Sequence, residues 1–515
     1  MNAKPILVTG ATGYIGGRLV PQLLAKGCHV RCLARDPNRL RGRNWEGPVE
    51  VVAGDVLDRA SLVTAMKGCG TAYYLVHSMA SGTGSFRERD LRAAGNFASA
   101  AAEAHVERII YLGGLGRRSE QLSNHLSSRH EVGDVLRSGS VPTTELRAAM
   151  IIGSGSASFE MLRSLVSRLP VMVCPRWVAN RTQPIAIRSV LAYLIGCMEN
   201  PATAGQVFDI GGPEVLTYKE MMERFARILG RRRWMIVVPV LTPRLSAYWV
   251  NLVTPVPASI AFPLIEGLKS ETVCEDDRIK GLVAVEPIGF DHAVQLAMEK
   301  HRQHEVETRW TNASMPTREG RRIRFDPTDF PIRDEQRVEC GAPTEALFDR
   351  VRHVGGDVGW YYADALWAVR GWMDRVIGGV GLRRGRRDPN NVFVGDAIDF
   401  WRVEDLSPGR RLLLHAEMKV PGDAWLEFRV EPTGDGSRSE LIQTAFFRPM
   451  PFWGRLYWNL LYPLHWLIFR GMARSIAGAA EGKSDAASAA EHRALDSSTS
   501  TSGGYLRSDA GTKPP

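Results

Sequence analysis

The stretch Thr9-Gly10-Ala11-Thr12-Gly13-Tyr14-Ile15-Gly16 follows a short apolar run, Pro5-Ile6-Leu7-Val8, and leads into a stretch with helical spacing. Glycines at that spacing between a strand and a helix have a chemical use. Gly10 permits a tight turn, Gly13 lets backbone approach a pyrophosphate, and Gly16 allows close helix–strand contact. The helix start then offers unpaired N–H groups and a positive dipole end to phosphate, with Thr12, Tyr14 and Ile15 completing the cradle. A dinucleotide site follows. After the second strand-like run the chain reads Cys32-Leu33-Ala34-Arg35-Asp36, where a reader of a free ribose 2′-hydroxyl would place a carboxylate first. Arg35 offers a guanidinium fork to a 2′-phosphate, and Arg39, Arg41 and Arg43 add positive field, so NADP(H) is expected in preference to NAD(H). The competing reading is that Asp36 takes over and the arginines are merely solvated. Asp55 and Val56, in Gly54-Asp55-Val56 after the third run, are placed to bound an adenine, Asp55 accepting from its amino group. A turn or helix cap is the alternative for Asp55. His77 and Ser78 fall just past the fourth run, at the carboxyl edge where parallel sheets bind ligands, so His77 is counted with the cofactor pocket.

The elements that must position these residues alternate. Strand-like runs at Ile6–Thr9, Val30–Ala34, Val49–Ala53, Ala72–Val76, Arg108–Leu112 and Thr144–Ala148 are separated by helical stretches starting near Tyr14, Ser61, Arg87 and Glu120. That grammar predicts an α/β fold, a doubly wound parallel Rossmann sheet. From Met150 the pattern loosens into a substrate lobe with helices near Ile187–Glu199 and Thr217–Leu229, giving a first domain of residues 1–308. Residues 309–334, rich in Arg, Pro, Thr and Asp, read as a linker. Residues 335–478 run strand, helix, helix, several strands and a closing helix at Phe452–Ala477, which predicts an α+β helix-grip-like domain. Residues 479–515 are Ala, Ser, Thr and Gly with almost no large apolar group, and a disordered C-terminal tail is expected.

Composition excludes several functions. The formal net charge of +9 is spread along the chain, and the densest basic cluster, Arg231-Arg232-Arg233-Trp234, is too short for a nucleic-acid stripe. The 7 cysteines are odd in number, widely spaced and without a CxxC pair, which predicts reduced thiols and a cytoplasmic location. No charged and apolar leader precedes the first strand, and proline breaks the apolar stretches before they reach a membrane span. His353, His415 and His465 lack partners at metal-ligand spacing, so no metal is expected. Trp360, Tyr361, Tyr362, Trp367, Trp372, Phe400, Trp401, Trp425 and Phe428 either line an apolar cavity or form the second core. The Trp- and Tyr-rich, Arg-flanked start of the last helix suits peripheral contact with the inner face of a membrane, although a helix closing over a sheet needs no lipid.

Thr9–Gly16, Leu33-Ala34-Arg35, Gly54-Asp55-Val56 and Arg108-Ile109-Ile110-Tyr111-Leu112-Gly113-Gly114-Leu115 resemble the short-chain dehydrogenase/reductase superfamily in its extended and atypical branches, epimerase-like and NmrA-like. The whole chain resembles a narrower bacterial group in which such a domain precedes a module similar to the START-like polyketide-cyclase and lipid-transfer superfamily. Tyr74-Leu75-Val76-His77-Ser78-Met79, Gly359-Trp360-Tyr361-Tyr362 and Ala424-Trp425-Leu426-Glu427-Phe428 carry that match. The resemblance implies a Ser after the fifth strand and a Tyr four residues before a Lys on the next helix. Here Gly113-Gly114 stand in place of the Ser, His125 in place of the Tyr and Arg129 in place of the Lys. His125 can donate a proton, or merely line the pocket. Arg129 can bind ribose or phosphate but cannot relay a proton. Three functions remain open: an NADP(H)-dependent oxidoreductase on a hydrophobic carbonyl, enone or quinone; a non-catalytic NADP(H) redox sensor or assembly factor; and a hydrophobic-ligand carrier regulated by NADP(H).

Overall fold

The computed structural model describes residues 4–499 apart from the short stretches 41–42, 44, 46–47, 78–85, 118–121, 239–245, 247–249, 251–252, 304–305, 314–316, 319–320 and 323–324; beyond residue 482 only backbone is described. Strands β1 (Ile6–Thr9), β2 (Val30–Ala34), β3 (Val49–Ala53), β4 (Thr71–Tyr74), β5 (Arg108–Gly114), β6 (Thr143–Ala148) and β7 (Val207–Ile210) form one seven-stranded parallel sheet, ordered β7-β6-β5-β4-β1-β2-β3. The order reverses between β1 and β4, which opens a crevice at their carboxyl ends. Alternation along β1 explains the two layers. Leu7 is buried among α2 (Arg59–Met66), α3 (Phe86–Glu103) and α4 (Asn124–Arg137), whereas Val8 is buried on the other face with α1 (Gly16–Ala25). The sequence reading missed β7, whose Val207-Phe208-Asp209-Ile210 is short and carries an acid. It also extended the fourth strand to Val76, but the chain leaves the sheet after Tyr74. Helix α4 begins at Asn124 because the Ser123 side chain accepts from the Leu126 N–H; the earlier start near Glu120 lies outside the described residues.

The substrate lobe is built from α5 (Ala157–Arg168), α6 (Ile187–Glu199), α7 (Tyr218–Ile228), α8 (Ala258–Gly267) and α9 (Phe290–Arg302), with a parallel strand pair Val171–Pro175 and Trp234–Val238. Helix α7 starts with a complete capping box, Thr217 and Glu220 each satisfying the other's backbone N–H.

The second module has β8 (Ile332–Cys340), α10 (Thr344–Arg352), α11 (Asp364–Val376), β9 (Ala397–Ile398), β10 (Trp401–Ser407), β11 (Arg411–Ala416), β12 (Gly422–Thr433), β13 (Arg438–Pro449) and α12 (Trp453–Thr499). Its six strands form an antiparallel sheet ordered β8-β13-β12-β11-β10-β9. Met472, Ile476 and Ala480 of α12 are buried with Leu347, Phe348 and Val351 of α10 and the inward residues of the sheet. The aromatics resolve as core: Trp360, Trp367, Phe400, Trp401 and Phe428 are buried together, and Trp360 stacks on Phe400 at 6.3 Å. Trp372 and Tyr362 are exceptions and lie exposed.

Two boundaries moved. The expected linker is partly built into the junction between the modules: Asn312 Nδ2 donates to Asp396 at 2.8 Å, and Arg387 donates to the Val306 carbonyl at 3.1 Å. Helix α12 passes the expected start of the tail at residue 479 and continues to Thr499, with Ala480 buried and Glu481 accepting from the Gly341 N–H at 2.7 Å. Lack of large apolar groups hid this, because Ala is the strongest helix former and forms helix without them. Residues 500–515 lie outside the described residues.

Candidate active site

The loop between β1 and α1 enters the crevice with its backbone foremost. Gly10 adopts φ +73°, and a Cβ there would meet the Leu75 carbonyl oxygen at 2.5 Å; one on Gly16 would meet the Gly10 oxygen at 2.4 Å. Both positions therefore exclude a side chain. Helix α1 has no side-chain N-cap; its Gly17 and Arg18 N–H groups bond back to the Gly13 and Ile15 carbonyls at 3.1 Å each, so the helix start is wound tightly against the loop. Gly10, Thr12, Gly13, Tyr14 and Ile15 line one continuous cleft together with Arg35, Asp55, Val56 and His77. Gly16 lies behind them as packing. The Tyr14 hydroxyl is buried without a hydrogen-bond partner among the described residues, and burial pushes its pKa above the ordinary tyrosine value.

Arg35 is exposed at the cleft edge, past the end of β2. The arginines expected to support it have another task. Arg39 is buried and donates to the Asn312 carbonyl, while Arg43 stacks over Trp45 at 5.9 Å and interacts with Asp396 of the second module. These two stitch the modules together rather than lining an open phosphate site; Arg41 lies outside the described residues. Burial and the nearby Arg402 and Arg35 guanidiniums lower the Arg39 pKa. One Asp55 carboxylate oxygen accepts from the Leu57 N–H at 3.0 Å, closing a turn, and the residue lines the cleft.

The reacting end lies where β4, β5 and α4 converge. Gly113 and Gly114 are tightly surrounded where the family pattern has a serine. A Cβ on Gly113 would meet Glu145 at 3.2 Å and Tyr111 at 3.3 Å, and one on Gly114 would meet Leu126 at 2.9 Å. His125 and Arg129 share the cleft-facing side of α4. Arg129 donates to the Leu112 carbonyl and lies 5.4 Å over the Tyr111 ring, so it pins the helix to the sheet edge. His125 is paired with His77, ring centroids 4.9 Å apart, and His77 Nδ1 lies 3.4 Å from Asp90 Oδ2 on α3. The His77 Nε2 atom is buried without a hydrogen-bond partner among the described residues. Burial, then the neighbouring His77 and Arg129, hold the His125 pKa well below the ordinary histidine value. His77 is lowered by burial and Arg129 against the opposing pull of Asp90. Both rings are thus neutral near pH 7 and act as hydrogen-bond donors or acceptors rather than as imidazolium acids. Asp90 was not legible as a site residue, since it stands among Arg87, Glu88 and Arg89 in a run that looks solvated. Ser78 lies outside the described residues.

Beyond the histidines the cleft continues into the substrate lobe, for a total cavity volume of about 940 Å³. Met161, Leu165, Met172, Trp177, Met221 and Leu264 line this end, and Trp310, from the segment joining the modules, closes it. The walls are predominantly apolar, with flexible methionines that adapt to irregular ligands. Tyr218 is a polar exception, its hydroxyl held by Thr182 and Thr272.

Residues 10–151 match the family model described as NAD(P)H-binding, and residues 327–472 match a model described as protein of unknown function (DUF2867). A (4-alkanoyl-5-oxo-2,5-dihydrofuran-3-yl)methyl phosphate reductase of Streptomyces griseus is 30% identical over 233 residues, 44% of this chain and 74% of that protein. A chloroplastic divinyl chlorophyllide a 8-vinyl-reductase of Oryza sativa subsp. indica is 29% identical over 48% of this chain, and the match spans 63% of that relative's length. A ceramide reductase of Caulobacter vibrioides is 27% identical over 45% of this chain and 73% of that protein. Among solved structures, a nucleoside-diphosphate-sugar epimerase from Staphylococcus aureus is similar at a TM-score of 0.47 and 19% identity, covering 56% of this chain and 99% of that one.

Proposed function

The chain belongs to the NAD(P)H-binding short-chain dehydrogenase/reductase family, and on that premise we propose that it reduces a carbonyl or conjugated alkene on an elongated apolar substrate, with NADPH preferred over NADH. One observation carries this reading: the glycine-loop crevice and a methionine-lined tunnel form a single cavity with the histidine pair between them. The residues fit a nicotinamide dinucleotide, with backbone N–H groups of the Gly10–Gly16 loop for the pyrophosphate, Asp55 and Val56 for the adenine and Arg35 for a 2′-phosphate. When bound, the cofactor supplies a hydride. The chain's own part is to orient the substrate oxygen, exclude water with apolar walls, and place a neutral His125 N–H where negative charge develops on that oxygen. His77, held by Asp90, packs against the His125 ring and orients it. The relatives named for alkanoyl and ceramide compounds support a substrate with an alkyl chain.

A non-catalytic nucleotide sensor is the second reading, favoured by Arg129 being spent on the Leu112 carbonyl where the family pattern has a lysine. The second module keeps the element order of a helix-grip domain, and we read it as START-like with a filled core that supports the first domain's tunnel. Purified protein incubated with NADPH and a panel of long-chain enones, ketones and quinones tests these readings. Substrate-dependent NADPH consumption, reduced at least tenfold in His125→Ala, is expected. NADPH binding without consumption across the panel would transfer the assignment to the sensor.

A further inference from the structure

The second module carries an unusual amount of exposed apolar surface. Helix α11 buries Trp367, Gly371 and Asp374 on one side and exposes Leu366, Val369, Trp372, Met373 and Val376 on the other, Trp372 at 63% of its full exposure. Helix α12 begins in the same way. Phe452, Trp453, Leu456, Leu460, Leu464 and Leu467 stand in solvent at helical spacing, Leu460 at 77%, while Trp458, Ile468 and Phe469 face inward. The two helices pack against each other through their buried sides, where Trp367 meets Phe469 at 6.4 Å. A third exposed apolar face lies in the first domain, on the strand pair Val171–Pro175 and Trp234–Val238. Val171 pairs with Trp234 and Val173 with Ile236, and all four side chains are exposed, Trp234 at 72%. The intervening Met172 and Cys174 are buried and line the cavity, as Val173 does at its edge, so the strand Val171–Pro175 lies between the cavity and solvent.

Isolated surface leucines are ordinary, but three elements each exposing tryptophans and aliphatics call for an occupant. Charge identifies it. Between Trp453 and Ala480 α12 contains Arg455, Arg470 and Arg474 and no acid. The α11 acids are Asp364 at its first residue and the buried Asp374, and the strand pair is flanked by Arg168, Arg176, Arg231 and Arg232. An apolar face fringed by arginine, with tryptophans at its border, matches the headgroup and acyl boundary of an anionic bilayer. No helix among the described residues is long and apolar enough to cross a membrane, which fits contact along the surface.

We propose that the exposed faces of α11, the first half of α12 and the Val171–Pro175/Trp234–Val238 ribbon form one docking surface for an anionic lipid bilayer. The ribbon then places the tunnel wall against the lipid, so that an apolar substrate dissolved there reaches the cavity without crossing water. This last step rests on the substrate reading above; the docking does not.

Flotation of the full-length protein with vesicles of phosphatidylcholine, alone or mixed with phosphatidylglycerol, tests the surface without cofactor or turnover, so its outcome is separable from that of the reductase assay. The protein is expected to float with the mixed vesicles, less so at high salt, and to stay in solution with phosphatidylcholine alone. Val376→Glu combined with Leu460→Glu should abolish flotation, and Arg455→Ala should weaken it about fivefold. Both changes are at exposed positions, and unchanged circular dichroism and NADPH binding would show that the fold is kept. Failure of the parent protein to float with the mixed vesicles, or equal flotation of the double variant, overturns the proposal. A dimer in sedimentation velocity that the double variant splits would assign the face to a second copy instead and equally overturn it.

Discussion

The two ends of the cleft are made by different physics. At the nucleotide end the chain works through its backbone: one loop of eight residues, Thr9 to Gly16, presents N–H groups, and glycines keep Cβ atoms out of the way. At the substrate end the wall is side chain, contributed by segments as far apart as Met161, Met221, Leu264 and Trp310. The first end is short-range and tolerates almost no substitution. The second is long-range and is expected to tolerate exchange of one apolar residue for another of similar volume. The contrast explains how a fixed cofactor site combines with an adaptable substrate site in one cavity.

The largest expected effect lies at the backbone end. Gly10→Val places a branched side chain at φ +73° with its Cβ 2.5 Å from the Leu75 oxygen. NADPH affinity by calorimetry should fall on the order of a hundredfold or more. A near-normal affinity would break the comparison, since the loop would then not depend on its backbone. Next comes Arg35→Asp, which on the proposed NADPH reading removes a charge-assisted contact of about 1.5–3 kcal/mol and adds repulsion. NADPH binding should weaken roughly 10- to 100-fold while NADH binding holds or improves; equal loss of both would detach Arg35 from the 2′-phosphate. At the substrate end, Leu165→Trp should raise KM for a long substrate about tenfold and leave NADPH affinity unchanged. A matching loss of NADPH affinity would show that the two ends are not independent.

The smallest expected effect concerns protons. His125 and His77 have pKa values below the ordinary histidine value in the fold, chiefly through burial, and His415 and His465 are pushed down to about 4 by the same cause. For a base depressed in the folded state, the unfolded chain binds the extra proton. Stability is therefore full above the unfolded histidine pKa of about 6.5 and declines as pH falls below it. The melting temperature should drop between neutral and mildly acidic pH, and His125→Gln should blunt that drop by a few degrees. An unchanged slope would mean that His125 is solvated.

The same division decides what could be read from sequence. That the glycine loop, Arg35, Asp55, His125 and Arg129 face one cleft is legible in the sequence, because each is placed by its own strand–turn–helix unit. The loss of the family serine was visible too, but the surroundings of Gly113 were not, since Glu145 and Tyr111 pack around it from another strand and from its own. Arg39 and Arg43 were misassigned because local sequence could not show that Asn312 and Asp396 close over them. Asp90 and the tunnel were invisible for a like reason, as both exist only once distant segments meet. The short continuation of α12 past residue 479 rests on tertiary contacts, Ala480 in the core and Glu481 on the Gly341 N–H, which composition does not show.

The central claim is that one cleft holds the nicotinamide cofactor and an apolar chain end to end. Steady-state NADPH oxidation with a series of enones or ketones differing only in alkyl chain length tests it most directly. Each added methylene that enters the tunnel should stabilise the bound state by about 0.8 kcal/mol and raise kcat/KM about fourfold, until the tunnel is full and the rise stops. A kcat/KM independent of chain length would contradict the account.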